Sequence, residues 1–221
     1  MMSYTRRHLK GWHWLAIAGL SFLLLSCATT YYKTMETIGF HKRDILVERV
    51  EEARDSQEEA GEQFQSALKS FQEVVDFEGG ELERRYNQLN TEYERSEAKA
   101  REVSKRIASV ESVAEDLFDE WDRELTEYSD AGLRRSSEKM LKQTREKYLD
   151  LIDAMKRAEA KMPPVLARLN DQVLFLKHNL NAQAIGSLQG VAKKMEFDVE
   201  DLLRELERSI AEANEFIKGM H

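Results

Sequence analysis

The sequence predicts an all-α fold: an elongated antiparallel bundle of about four long, coiled-coil-like helices behind a segment that is cut away. Three observations predict it. Apolar residues recur at steps of three and four over runs longer than three heptads, the signature of coiled-coil packing. The composition is 33% charged and 9% aromatic, with two prolines and ten glycines in 221 residues. A chain rich in Glu, Arg, Lys, Leu and Ala with so few breakers favours long helices. Turn chemistry, finally, falls between the runs.

The first run is Leu46, Val50, Ala53, Gln57, Ala60, Phe64, Ala67, Phe71 and Val74, with Gln57 its one polar member. The second extends from Leu82 through Ser96, Ala100, Val103, Ile107, Val110, Ala114 and Leu117 to Trp121 and Leu125. The third extends from Leu141 through Thr144, Tyr148, Leu151, Met155, Ala158 and Met162 to Leu180, and the fourth from Ile185 to Ile217 by way of Ser209. Intervening positions are mostly charged, so each helix can bury one face only. "FEGG" (Phe77 to Gly80) ends the first helix with two glycines. "YSDAGL" (Tyr128 to Leu133) makes the second turn, with Ser129 or Asp130 available to cap the third helix. "NLNAQ" (Asn179 to Gln183) is the third, and Gly186 and Gly190 blur that boundary. "MPP" (Met162 to Pro164) interrupts the third run, where proline removes a backbone donor. The heptad phase continues through it, which predicts a kinked helix or two helices stacked nearly end to end, with a true break at Pro163 and Pro164 as the alternative. Helices of about 35 to 50 residues would span roughly 50 to 75 Å each, and short connections make neighbours antiparallel.

The N-terminus reads differently. Arg6, Arg7 and Lys10 precede "WLAIAGLSFLLL", Trp14 to Leu25, which carries no charge. A positive start, a short apolar stretch and small residues form an export signal. The run is too short for a spanning helix, which needs about 20 residues. "TRRHLK" (Thr5 to Lys10) partly matches a twin-arginine signal, but ordinary unfolded export fits better. Then comes Cys27, the single cysteine of the chain. "LLSC" (Leu24 to Cys27) resembles a bacterial lipoprotein box. The resemblance implies cleavage between Ser26 and Cys27, a diacylglycerol on the thiol and acylation of the new amine. Two or more acyl chains make a stable anchor where one is marginal. Ala28 follows the cysteine where inner-membrane retention often uses aspartate, so the expected place is the outer membrane, facing the periplasm. Residues 27–33 would be a tether, with Tyr31 and Tyr32 suited to a membrane interface, and residues 34–221 a single helical domain.

Charge and chemistry narrow the function. The formal net charge is −8, and the three bases of residues 1–26 would leave with the signal. So acidic a body is repelled by nucleic acid phosphates and by anionic lipid headgroups, and nucleic acid is not an expected partner. One cysteine excludes an intramolecular disulfide and a cysteine-based zinc site within one chain. His41, His178 and His221 stand far apart, with no HExxH, and no metal or cofactor is expected. GxSxG, P-loop and GxGxxG motifs do not occur, and no two carboxylates are isolated in an apolar setting. The expectation is a protein that is not an enzyme. Phe118 and Trp121, beside the "YSDAGL" turn, are the candidate interaction surface, since buried aromatics anchor many interfaces; core packing is the simpler role for both.

The stretch "TMETIGFHKRDILVERVEEARDSQEEA", Thr34 to Ala60, is the most distinctive. It resembles the opening of domain-of-unknown-function family 2959, a family of uncharacterised bacterial proteins, and the resemblance covers most of the mature chain. It implies no activity, substrate or catalytic residue. Within it, "HKRD" reads as a charged helix start, with Asp44 placed to suit the helix dipole. The expected function is that of a membrane-anchored envelope lipoprotein acting as a spacer, adaptor or scaffold. Its partners would be the membrane, through covalent lipid, an envelope protein, and another copy of the chain. The alternative is a helical module for a lipid or hydrophobic ligand in the periplasm.

Overall fold

Four helices account for almost every described residue. The structure is a computed structural model and describes residues 42–76 and 81–220. The helices are α1 (Lys42–Val75), α2 (Leu82–Glu124), α3 (Ala131–His178) and α4 (Ala182–Met220). The signal, the cleavage pair Ser26 and Cys27, the tether, His41, the "FEGG" turn and His221 lie outside the described residues. The chain divides into two units, Met1–Asp44 and Ile45–His221; the bundle is the second.

Every neighbouring pair of helices in the bundle is antiparallel. Contacts that climb one helix descend the next. Between α1 and α2 they are Glu52–Arg106, Glu59–Lys99 and Glu73–Arg85. Between α2 and α3 they are Glu111–Lys156, Phe118–Tyr148 and Asp122–Arg145. Lys161–Asp201 and Arg168–Asp198 join α3 to α4. Arg54–Asn214 and Gln57–Ser209 bring α4 back to α1. This is an up-down-up-down four-helix bundle closed on itself. Its longest helix, 48 residues, spans about 72 Å at 1.5 Å per residue.

The heptad seams become the core. All nine residues of the first run, Leu46 to Val74, have no solvent exposure at all. Facing them are Leu89, Val103, Val110, Leu151, Met155, Leu169, Met195, Val199 and Leu202, each fully buried. Small residues set close approaches. Gly61 would bring a Cβ within 3.5 Å of Leu203 and 3.7 Å of Leu206, ordinary contact distances, so α1 and α4 lie near each other there.

The polar members of the seams find one another. Ser209 Oγ donates to Gln57 Oε1 at 2.8 Å, both fully buried. Ser96 Oγ donates to the Glu92 carbonyl at 2.8 Å, while Gln63 Nε2 donates to the Glu92 carboxylate at 2.7 Å. Buried polar groups persist where they are hydrogen-bonded. Gln57 Nε2 and the neighbouring Ser56 Oγ are among the exceptions, buried with no hydrogen-bond partner among the described residues.

The doubtful boundaries resolve in favour of continuity. α3 runs unbroken through Pro163 and Pro164. Both prolines are exposed, so the carbonyls one turn back that lose their donors lie on the solvent side of the helix, where water can satisfy them. The third connection is Asn179 to Asn181, where Asn181 Oδ1 accepts from the Ala184 amide at 3.0 Å. Gly186 and Gly190 belong to α4 and mark neither a turn nor a thin packing layer. A Cβ at either would meet nothing within 4 Å.

Candidate interaction surface at the end of the bundle

The second turn builds the most distinctive surface of the molecule. Asp130 caps α3, its Oδ1 accepting from the amides of Gly132 at 2.7 Å and Leu133 at 2.8 Å. That pattern satisfies two of the four orphan donors of a helix start. The cap fixes a hairpin of α2 and α3 that outruns its neighbours. Glu52 faces Arg106, so ten residues back to Lys42 on α1 correspond to ten forward, to Asp116, on α2. On the other side Gly219, next to the last described residue of α4, lies against Lys147. Beyond these levels the described bundle has two helices instead of four.

Inside the hairpin the aromatic residues are tied down. Phe118 is buried at 6% exposure and meets the Tyr148 ring edge-on, with centroids 5.4 Å apart and an interplanar angle of 66°. The Arg145 guanidinium sits 5.0 Å from the Phe118 centroid and pairs with Asp122 at 2.8 Å. A cation over a ring face gains from the ring quadrupole. Trp121 is half-buried and its Nε1 donates to Ser137 Oγ at 2.8 Å. Burial pushes the Tyr148 phenol up to about 12, helped by the nearby carboxylates of Glu111 and Glu115.

Of the two sequence candidates, then, Phe118 is a core residue and Trp121 presents one edge. The larger signal lies a few residues on. Leu133 is 61% exposed, Met140 52% and Leu149 56%. Tyr128 is exposed at the turn itself. An open groove of about 700 Å³ runs between α2 and α3 here, lined by Leu125, Leu141 and Leu149 and by Arg135, Lys142 and Arg145. Sequence reading singles out the aromatic pair and passes over this stretch, because heptad spacing marks a face without saying what covers it. The available signal was charge: residues 131–149 hold six bases and two acids in a chain of net charge −8.

Exposed apolar side chains also occur toward the α3–α4 turn, at Leu174, Phe175, Leu180 and Phe197. His178 is exposed at the last turn of α3. Among the described residues no group of three or more His, Cys, Asp and Glu side chains is placed to hold a metal ion, and no helix is long and apolar enough to cross a membrane.

Fold and surface together define a class, the long single-chain four-helix bundle with a projecting two-helix end. The family model described as Protein of unknown function (DUF2959) matches residues 31–220, and the chain belongs to that family. No curated protein and no solved structure matches it.

Proposed function

We propose that this protein is an exported lipoprotein that acts as a spacer or adaptor in the cell envelope, through contacts with other proteins rather than through catalysis. One observation carries the reading: the single cysteine, Cys27, closes an uncharged run that comes after a basic start, and a long helical domain lies beyond it. A thiol at that place is where an acyl anchor would be attached, and dual acylation holds a protein at a membrane without a spanning helix. The bundle supports the spacer role because helices of this length, packed side by side, carry a surface tens of ångströms from their starting point. The outer membrane, in its periplasmic face, is the proposed site, since Ala28 rather than an acid follows the cysteine.

The test is the intact mass of membrane-extracted protein beside that of a Cys27→Ser form. The expected result is a chain beginning at Cys27 with added acyl mass, missing from the variant. An unacylated chain retaining residues 1–26 would overturn the reading. Crosslinking in intact cells then identifies the protein it contacts.

A further inference from the structure

The first turns of α3 combine three properties. They carry unpaired cations: Arg134, Arg135, Lys139 and Lys142 enter none of the ion pairs formed by the described residues, although most bases of the bundle do. Their charge has an order, because Arg135, Lys142 and Leu149 succeed one another at seven-residue spacing and form one outward stripe, with Lys139 beside it. Leu149, at the end of that stripe, adds an exposed apolar side chain, while Met140 lies nearly opposite it round the helix. Two acids, Glu138 and Glu146, interrupt the stripe without cancelling it.

The neighbouring arm does not undo this. Phe118, Asp122 and Leu125 form the line of α2 that meets α3, as the contacts of Phe118 with Tyr148 and of Asp122 with Arg145 require. Glu120 and Glu124 fall on a different line of α2, away from that contact. The hairpin therefore has a basic side and an acidic side. The acidic composition of the whole chain conceals the basic one.

We propose that the outer stripe of α3, from Arg134 to Leu149, docks against a bilayer containing anionic phospholipid. Clustered Lys and Arg near such a surface are attracted by its negative potential, and interleaved apolar side chains enter the headgroup boundary. A neutral surface offers nothing to the four unpaired cations; a second copy could meet them only with its acidic side, and the dimer outcome of the test below covers that case. The proposal relies on the envelope reading above only for the presence of such a bilayer nearby; the docking itself needs no acyl chain.

The test is vesicle flotation of the full chain carrying Cys27→Ser, which removes any acyl contribution. Vesicles of phosphatidylcholine alone are compared with vesicles containing a third phosphatidylglycerol, at low and at high salt. A quadruple variant, Arg134→Glu, Arg135→Glu, Lys139→Glu and Lys142→Glu, is run beside it, and a second variant carries Gln at the same four positions to separate charge loss from charge reversal. All four positions are solvent-exposed, and unchanged helical circular dichroism verifies the fold. Residues 1–26 are common to every form, so differences between forms read the hairpin. The expected result is binding that depends on phosphatidylglycerol, weakens in salt, and falls roughly tenfold or more in the reversed variant, by loss of the surface attraction. Equal binding by the parent and both variants would overturn the proposal. So would equal binding to the neutral vesicles, or a concentration-dependent dimer that the variants abolish. Because Cys27 is absent from this experiment, its failure leaves the acylation reading untouched, and an unacylated native chain leaves this result standing.

Discussion

The middle of the bundle and its α2–α3 end are written in the same heptad code and meet opposite fates. In the middle, seam residues from Leu46 to Val74 are completely buried because α2 and α4 close over them. At the end, Leu141 on the seam stays buried, but Leu133 and Met140, apolar residues one position off that line, are more than half exposed. The repeat specifies which line along a helix is apolar. Burial is decided by the lengths of the other helices, and those are set by caps and turns far away in sequence. The same residue type therefore carries stability in one region and availability in the other.

The sharpest way to break this comparison is to truncate one side chain in each region. Phe64→Ala, with no exposure in the parent, should cost about 3–5 kcal/mol, the transfer term plus a cavity. Met140→Ala should change stability by less than about 0.5 kcal/mol, as exposed substitutions do. Urea denaturation measures both, and comparable losses would mean that Met140 is covered after all.

Within the middle, the buried polar pair should behave asymmetrically. Ser209→Ala removes the donor to Gln57 and should cost about 1–3 kcal/mol, because a buried acceptor is left unsatisfied. Adding Gln57→Leu should recover most of the loss, since it also removes the amide nitrogen that has no acceptor. A double variant as unstable as the single one would show that the site has room for polar groups only.

The end of the bundle depends on its cap. Asp130→Ala should destabilise by about 1 kcal/mol by orphaning the amides of Gly132 and Leu133. Asp130→Asn should retain most of that stability. Hydrogen exchange at the start of α3 would show whether the loss stays local, as a two-helix end implies.

Gly186→Ala and Gly190→Ala should each raise stability, by about 0.5–1 kcal/mol, because a helix interior prefers alanine. Neither new methyl group meets an atom within 4 Å. A measured loss at either position would place an unseen neighbour there.

The smallest effect is titration at the hairpin. The Tyr148 phenol rises from an ordinary value of 10.0 to about 12, chiefly through burial. Its neutral form is the one the fold favours, so its contribution is complete below pH 10 and disappears as pH rises through 12. Ultraviolet titration should show one tyrosine ionising late, and Tyr148→Phe should remove that step with little other change.

Much of the fold was legible because long helices advertise themselves. The runs from Leu46 and Leu151 onward gave their faces correctly, and Asp130 was visible as a cap from its place in "YSDAGL". Gln57, Ser96 and Ser209 were visible as flaws in the seams, but their pairing was not. Gln57 and Ser209 are 152 residues apart, and spacing carries no information about which helix closes on which. The prolines were legible only together with the heptad phase that continues through them. Pro163 and Pro164 argue for interruption when read alone, whereas their exposure makes the lost hydrogen bonds inexpensive within one continuous helix. The basic stripe was legible only as composition. Its exposure is a property of how the helices pack, which no local pattern states.

The closure of α4 onto α1 also determines how this molecule can come apart. Three of its four helix–helix seams join partners that are consecutive in the chain, and each is shut by a short turn. The fourth, marked by Gln57 and Ser209, must close across most of the domain, and closing a longer loop costs more entropy. It is also the one seam whose opening leaves all three hairpins whole. The bundle is a pleated strip rolled until its first and last edges touch, and that edge, with a polar clasp halfway along it, is where it would unroll.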